Sequence, residues 1–431
     1  MAKSKQGSVV SNALWLYADQ VIRACVSVLV FGLVTRSLGT EGFGLLAYAI
    51  SFPAIFLPIA GLGLDHVLIR DFVRHPERRD EIFATGLCLK AGAAFLACAL
   101  SVGICIVFVS DPKTTALIAV SSLSIAFQPM LTLDYFFQSQ IAARKSAIAR
   151  LVTCFIGNGV RAWLTTTDHG ILPYVWLMVG EAALYSGILF LSARDLDLPW
   201  SRLIRLYDGR TARLLLAASL PLLLADIAIA GYMKLDQIVL GHLAGLDALG
   251  SYAAAMRLSD YTAFVAMAVI NTYFPRVVAH HQAGGTDFSI KFLRFGAFVT
   301  YVGLGIALGV TIAAPWLAEI VLGPEFSDAS TVFVVLSWAN LFAVQIAVRG
   351  KLLLLENLQW FSLAFFASGA LIHLSLLYVV APKWGALGAA GSLFVAQLSM
   401  LLFAPLMFKT TRRFVREALR WYNMGILMRH E

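Results

Sequence analysis

Four basic side chains stand deep inside apolar runs of bilayer length: Arg23, Arg161, Lys234 and Arg257. A cation near the bilayer centre costs about 2.5 to 3.5 kcal/mol on the insertion scale, so four facing lipid would cost on the order of 10 to 14 kcal/mol. That rivals the whole net stability of a typical protein, about 5 to 15 kcal/mol. Such groups must therefore meet water, a carboxylate or an anionic ligand. A guanidinium presents a planar fork to phosphate or carboxylate oxygens, and an ammonium adds a point charge. The chemistry open to the set is capture of a phosphate-like anion.

Carboxylates lie close in sequence. Asp19 and Arg23 are four apart and Arg257 and Asp260 three apart, so each pair shares a helix face. Lys234 and Asp236 are two apart, roughly 200° around a helix, and cannot pair simply. Asp226, eight residues before Lys234, is offset by roughly 80° and two turns. Asp19, Asp236 and Asp260 read as counter-charges or coupling groups, whereas Lys234 and Arg257 are better placed to meet a phosphate. The competing roles are outward snorkelling for Arg161, Lys234 and Arg257 and a structural ion pair for Arg23. Lys90, about eight residues into its run, is expected to reach the cytoplasmic interface. Asp65, Gln128, Asp134, Glu181, Gln345, His373 and Gln397 read as interhelical hydrogen-bonding groups.

Other chemistry has little support. No GxxxxGK[ST] loop is present to cradle a nucleotide. The five cysteines fall in apolar runs without Cys-x-x-Cys spacing and read as packing residues. His280 and His281 have no matching nucleophile constellation. The expectation is no catalytic set, no metal and no cofactor. A net charge of +8 could suggest nucleic acid, but the basic residues sit between apolar runs and in the final tail, where they act as topology signals.

The elements that must position these charges are membrane helices. The chain has 431 residues, is 59% hydrophobic and has a mean hydropathy of +0.79. Apolar runs of roughly twenty residues recur from end to end. They predict spans near 11–35, 42–64, 82–109, 115–136, 148–167, 170–192, 213–240, 248–275, 292–322, 328–348, 359–381 and 385–408. The basic N-terminal stretch MAKSKQ leads into a run broken by Asp19, Gln20 and Arg23, which reads as a retained first helix rather than a cleaved signal. Loop cations alternate from side to side, about 25 against 3, which places both termini in the cytoplasm. The fold class expected is an all-α polytopic membrane protein, with about twelve helices in two six-helix bundles around a central cavity.

A short internal repeat supports two halves. LGTEGFGLLAYA at 38–49 and AGLDALGSYAAA at 244–255 align at a constant offset of 206, matching Gly39 with Gly245, Glu41 with Asp247 and Gly44 with Gly250. Each copy joins the first and second helices of a half. The organisation read from this is a half over 1–205, a second over 206–410 and a basic tail over 411–431. Pro53, Pro58, Pro129, Pro221, Pro315 and Pro405 lie within spans and are candidate kinks.

Three segments carry a family resemblance: TRSLGTEGFGLLAYAISF, LDQIVLGHLAGLDALGSYAAAMRLSD and LGPEFSDA. GLGLDHVLIRDFVR, with its basic residue at Arg70, adds to it. In these the chain resembles the polysaccharide repeat-unit flippases, the O-antigen or exopolysaccharide transporters of the multidrug/oligosaccharidyl-lipid/polysaccharide export superfamily. The resemblance implies a bacterial inner-membrane carrier for undecaprenyl-diphosphate-linked oligosaccharide, with two bundles opening alternately onto an electropositive cavity. It also implies membrane lipid, a polysaccharide polymerase and a chain-length regulator as partners. The family's first-helix and eighth-helix arginines correspond to Arg23 and Arg257, and its seventh-helix aspartate to Asp236. Two other readings stay open: a multidrug cation antiporter, which calls for a cavity dominated by carboxylates, and a polytopic glycosyltransferase or polymerase, which calls for a catalytic outer loop.

Overall fold

In the computed structural model the backbone is described for residues 2–140, 142–167, 169–194, 200–282, 288–356 and 358–423. A backbone crossing hydrocarbon must satisfy its own N–H and C=O groups, and helices do so within one segment. The described residues are accordingly helical almost throughout, with no strand among them. The α-helices are α1 (Ala2–Ala54), α2 (Leu57–Gly61), α3 (Leu64–Arg74), α4 (Arg79–Phe108), α5 (Pro112–Ser122), α6 (Leu131–Ser139) and α7 (Ala143–Leu164). They continue with α8 (Leu172–Ser192), α9 (Leu203–Leu206), α10 (Gly209–Gln282), α11 (Phe288–Val321), α12 (Ser327–Leu355), α13 (Gln359–Leu402) and α14 (Arg412–Arg420).

Eight stretches are long and apolar enough to cross a membrane. Three of them, Cys25–Arg74, Gly209–Phe274 and Trp360–Leu402, contain a backbone break, at Gly39, Gly245 and Gly385. Each of these is two spans joined without a loop. With α7, a 22-residue helix made less apolar by its arginines and lysine, the described residues contain twelve spans, the all-α multi-pass fold expected.

The breaks at Gly39 (φ 66, ψ −177) and Gly245 (φ 88, ψ 172) occupy a backbone region that is essentially glycine-only. They are one of the residue pairs matched by the repeat. The prolines do less: Pro53 and Pro58 flank the interruption between α1 and α2, and Pro129 sits in a 3-10 stretch, Leu123–Met130. Pro315 lies inside continuous α11.

The chain forms two compact units. The first comprises Met1–Leu38 and Leu45–Lys234, the second Gly39–Gly44 and Leu235–Glu431. In the first, the core joins Leu64, Leu68 and Phe72 of α3 to Phe83 of α4 and Phe136 and Phe137 of α6. Edge-on ring pairs run from Phe72 to Phe136 (5.4 Å) and from Phe83 to Trp200 (5.6 Å). Trp200 so anchors the end of the long central connection. Asp208 then caps α10, accepting from the Thr211 amide at 2.7 Å, and this bond holds its carboxyl below the usual range. Arg78 reinforces the joint by donating to Glu81 and to Thr211 Oγ1.

In the second unit, residues 39–44 nest against the start of the helix beyond Gly245. A Cβ on Gly44 would lie 1.9 Å from the Leu246 carbonyl oxygen, and one on Gly250 would lie 1.9 Å from the Thr40 carbonyl oxygen. The two contacts are images of each other at the 206-residue offset. The Thr40 hydroxyl completes the joint by donating to Asp247 Oδ1 at 2.7 Å. The short sequence match thus encodes a reciprocal glycine crossing in which two backbones meet.

Candidate functional site

The first unit holds its ionisable groups around an interrupted helix. After Pro53 and Pro58 the chain leaves helical geometry, passes Leu62 (φ 56) and Gly63 (φ 61), and restarts as α3 with Asp65 and His66 in its first turn. Leu62 adopts a left-handed conformation that a bulky side chain rarely takes, a mark of local strain. Gly63 is required by space: a Cβ there would lie 2.5 Å from the Leu223 amide nitrogen of α10.

Beside this restart sits a connected polar cluster. Lys90 of α4 is fully buried, with its Nζ 3.3 Å from Asp65 Oδ1 and 4.6 Å from the centre of the Tyr135 ring. Next along α6, Asp134 accepts from the Tyr185 hydroxyl at 3.0 Å and from Arg150 Nη1 at 3.3 Å. Asp226 of α10 lies within electrostatic reach of Asp65 and His66. Ion pairs thereby join α3 to α4 and α6 to α7, and the Tyr185 hydroxyl ties α8 to the second pair. Lys90 does not reach out to the interface as expected; α4 turns it inward, where a carboxylate and an aromatic face replace water.

The second unit carries a smaller buried cluster. Asp236 of α10, 2% exposed, accepts from the Tyr252 hydroxyl at 2.6 Å and from the Gln237 amide at 2.7 Å. His373 of α13, fully buried, brings Nε2 to 3.7 Å from Asp236 Oδ2 and shares a hydrogen bond with Ser392 Oγ at 3.0 Å. Asp236 is thus held by groups of its own unit, Tyr252, the Gln237 amide and His373. Arg349, read from sequence as a loop cation, is 3% exposed; its Nη1 donates to the carbonyls of Met400 and Leu401, the negative end of α13.

The residues singled out by sequence divide between the units. Arg161 closes a two-bond fork on Glu181, Nη1 to Oε1 at 2.7 Å and Nη2 to Oε2 at 2.5 Å. Gly157 makes that possible, since a Cβ there would lie 1.6 Å from Glu181 Oε1. Lys234 is half-buried and, among the described residues, holds no ion pair. Arg23 is half-buried in the same unit. Arg257, in the second unit, is exposed and stacks its guanidinium over the Tyr261 ring at 5.7 Å; Asp260 is exposed beside it. The Asp19 side chain lies outside the described residues. Among the described residues no cluster of three His, Cys, Asp or Glu gathers as a metal site.

Sequence reading missed Lys90, Asp134, Arg150, Tyr185 and Asp226 as a group. The signal that pointed there was the density of Pro53, Pro58, Gly61 and Gly63 in one apolar run, the mark of a broken transmembrane helix beside a binding site.

Twelve spans, a broken helix and clustered ionisable groups among the described residues define a multi-pass membrane protein. Residues 33–331 match the polysaccharide biosynthesis protein family, and the chain belongs to it. Its fold is similar to that of the lipid II flippase MurJ in an inward closed conformation, with a TM-score of 0.75 at 12% identity over 97% of this chain and 94% of that one. It is also similar to an inward-facing multidrug resistance MATE family transporter of the MOP superfamily (TM-score 0.63, 13% identity, 94% of each chain). The MATE multidrug transporter DinF-BH is another (TM-score 0.62, 15% identity, 95% and 96%). At these identities the likeness is one of fold. No curated protein matches the chain in sequence.

Proposed function

We propose that this protein is a flippase that carries undecaprenyl-diphosphate-linked oligosaccharide repeat units from the cytoplasmic to the outer leaflet of a bacterial inner membrane, with both termini cytoplasmic. The membership in a polysaccharide biosynthesis family and the likeness in fold to a lipid II flippase support the transport class. The observation that carries the choice of substrate is Lys234, a half-buried cation at bilayer depth with no ion pair among the described residues. A charge kept there against the cost of desolvation has a use when an anion arrives.

In this mechanism Lys234 and Arg23 of the first unit receive the diphosphate and Arg257 is a candidate cation of the second, with the halves 1–205 and 206–410 proposed to work by alternating access. Arg161, already held by Glu181, adds field rather than a free fork, and Asp236 stays an internal counter-charge. Asp19 and Asp260 complete the proposed counter-charges. The sugar follows through hydrated polar surface while the lipid chain remains in the bilayer. An inside-negative potential assists: two negative charges moved outward across 100 mV gain roughly 4.6 kcal/mol. No bond is made or broken, so the protein acts without catalysis or cofactor. A polymerase and a chain-length regulator would take up the delivered units.

The test is charge reversal, Lys234→Glu and Arg257→Glu, in a strain lacking its own carrier. Loss of surface polysaccharide at unchanged protein level, with lipid-linked repeat units accumulating on the cytoplasmic side, is expected. Normal surface polysaccharide from both variants refutes the assignment. Drug resistance on overexpression, without any glycan phenotype, would favour cation export instead.

A further inference from the structure

The last helix, α14 (Arg412–Arg420), has the sequence RRFVREALR and is followed by Trp421 and Tyr422. Phe414, Ala418 and Trp421 are each 1% exposed and bind the helix to the second unit. Trp421 lies against Gly296 of α11, where a Cβ would come within 2.3 Å of its Nε1. The Tyr301 hydroxyl donates to the Tyr422 carbonyl at 2.8 Å. α14 is therefore held by one face on the membrane-spanning body.

The opposite face is a stripe of charge. At about 100° per residue, Arg412, Arg416 and Arg420 fall within roughly 80° of one another and opposite the buried three. All three are exposed. Arg412 Nε donates to the Leu406 carbonyl at 3.1 Å, and Arg416 and Arg420 form no ion pair among the described residues. Arg413, off the stripe, is the one that pairs with Glu356. Like charges spaced four apart destabilise an isolated helix, so the stripe is held in place by the docking on its other side.

The flank identifies the environment. Leu419 borders the stripe at 57% exposure, and Phe403, Leu406 and Met407, in the turn between α13 and α14, are 61%, 44% and 68% exposed. A row of arginines edged by bare apolar side chains, at the end of a membrane span, matches the boundary between headgroups and acyl chains. We infer that α14 is an interfacial helix whose Arg412, Arg416 and Arg420 bind the phosphates of anionic phospholipid headgroups. The inference stands on α14 alone and does not depend on what the protein transports.

The test places a fluorophore at position 419, through Leu419→Cys in the full-length chain with its five native cysteines replaced. The protein is reconstituted in phosphatidylcholine vesicles containing a small fraction of headgroup-nitroxide phosphatidylglycerol or phosphatidylcholine. A surface arginine is worth about fivefold in anionic lipid association, so quenching should favour phosphatidylglycerol by at least about tenfold. Arg412→Gln/Arg416→Gln/Arg420→Gln should abolish the preference, and the triple lysine variant should keep it. Added inorganic phosphate should leave the quenching unchanged; competition by it would assign the stripe to a soluble anion and overturn the lipid reading. Equal quenching by the two lipids in the wild-type arginine background also overturns it. Should the cysteine-free chain fail to fold, native mass spectrometry of the unlabelled protein provides the second reading. Identical phosphatidylglycerol retention by the wild-type and glutamine forms then refutes the inference.

Discussion

Replacing Gly44 by alanine tests the glycine crossing directly. The added Cβ would lie 1.9 Å from the Leu246 carbonyl oxygen and 2.9 Å from the Gly250 nitrogen. A carbon and a carbonyl oxygen rest at about 3.3 Å, so one backbone must retreat by about 1.4 Å. The obstacle is backbone on a helix, which cannot rotate away as a side chain can. Forcing a methyl into a packed site costs about 1 to 3 kcal/mol. Here the move would also strain the Thr40–Asp247 bond, so the upper half of that range is expected, or more. The comparison is Gly92→Ala in α4, where an added Cβ meets nothing within 4 Å. That change gains about 0.5 to 1 kcal/mol from helix propensity alone. Thermal unfolding of the two full-length variants in one detergent should separate them by several degrees, with Gly250→Ala falling beside Gly44→Ala. Equal melting temperatures for Gly44→Ala and Gly92→Ala would refute the reasoning, because propensity would then account for both.

Asp65→Asn should destabilise more than the double variant Asp65→Asn/Lys90→Met, since the single change leaves a buried ammonium without its carboxylate. A full loss of that kind costs about 3 to 5 kcal/mol, and the half-exposed Asp65 brings the expectation to the lower end, read by thermal unfolding. A double-mutant cycle on Arg161 and Glu181 should give a coupling of about 1 to 3 kcal/mol, between surface and buried ion pairs; near-zero coupling would release Arg161 for substrate. Tyr252→Phe should cost about 1 to 3 kcal/mol by leaving a buried carboxylate oxygen of Asp236 without its donor, with Tyr252→Leu no milder. Burial raises the Glu417 carboxyl above its ordinary 4.5, with Glu356 adding to the rise and Arg413 and Arg420 opposing it. The folded state then binds this proton more tightly, so the group favours folding as pH falls through its raised value and opposes it above. Glu417→Gln should raise the melting temperature near neutral pH and narrow its difference from wild type as the pH is lowered toward about 5. A wild-type advantage at neutral pH would contradict this.

The sequence by itself determined the class of fold, because lipid leaves a chain no alternative to long apolar helices and every span announces its own length. It also exposed the repeat: Gly39 and Gly245 need a conformation that only glycine takes, so their identity and spacing had to be written into both copies. The meeting of Gly44 with Leu246 and of Gly250 with Thr40 was not legible, since which backbones touch depends on how distant helices pack. The charges follow the same division. Their types and depths could be read off the chain, and the need for counter-groups followed from the cost of burial. Which carboxylate answers which cation was decided only in three dimensions: Lys90 turned inward to Asp65, Arg161 locked on Glu181, Arg349 on the end of α13, Lys234 left without an ion pair among the described residues. Spacing along one helix shows only the neighbours on that helix, whereas a charge in the membrane is most often answered from another.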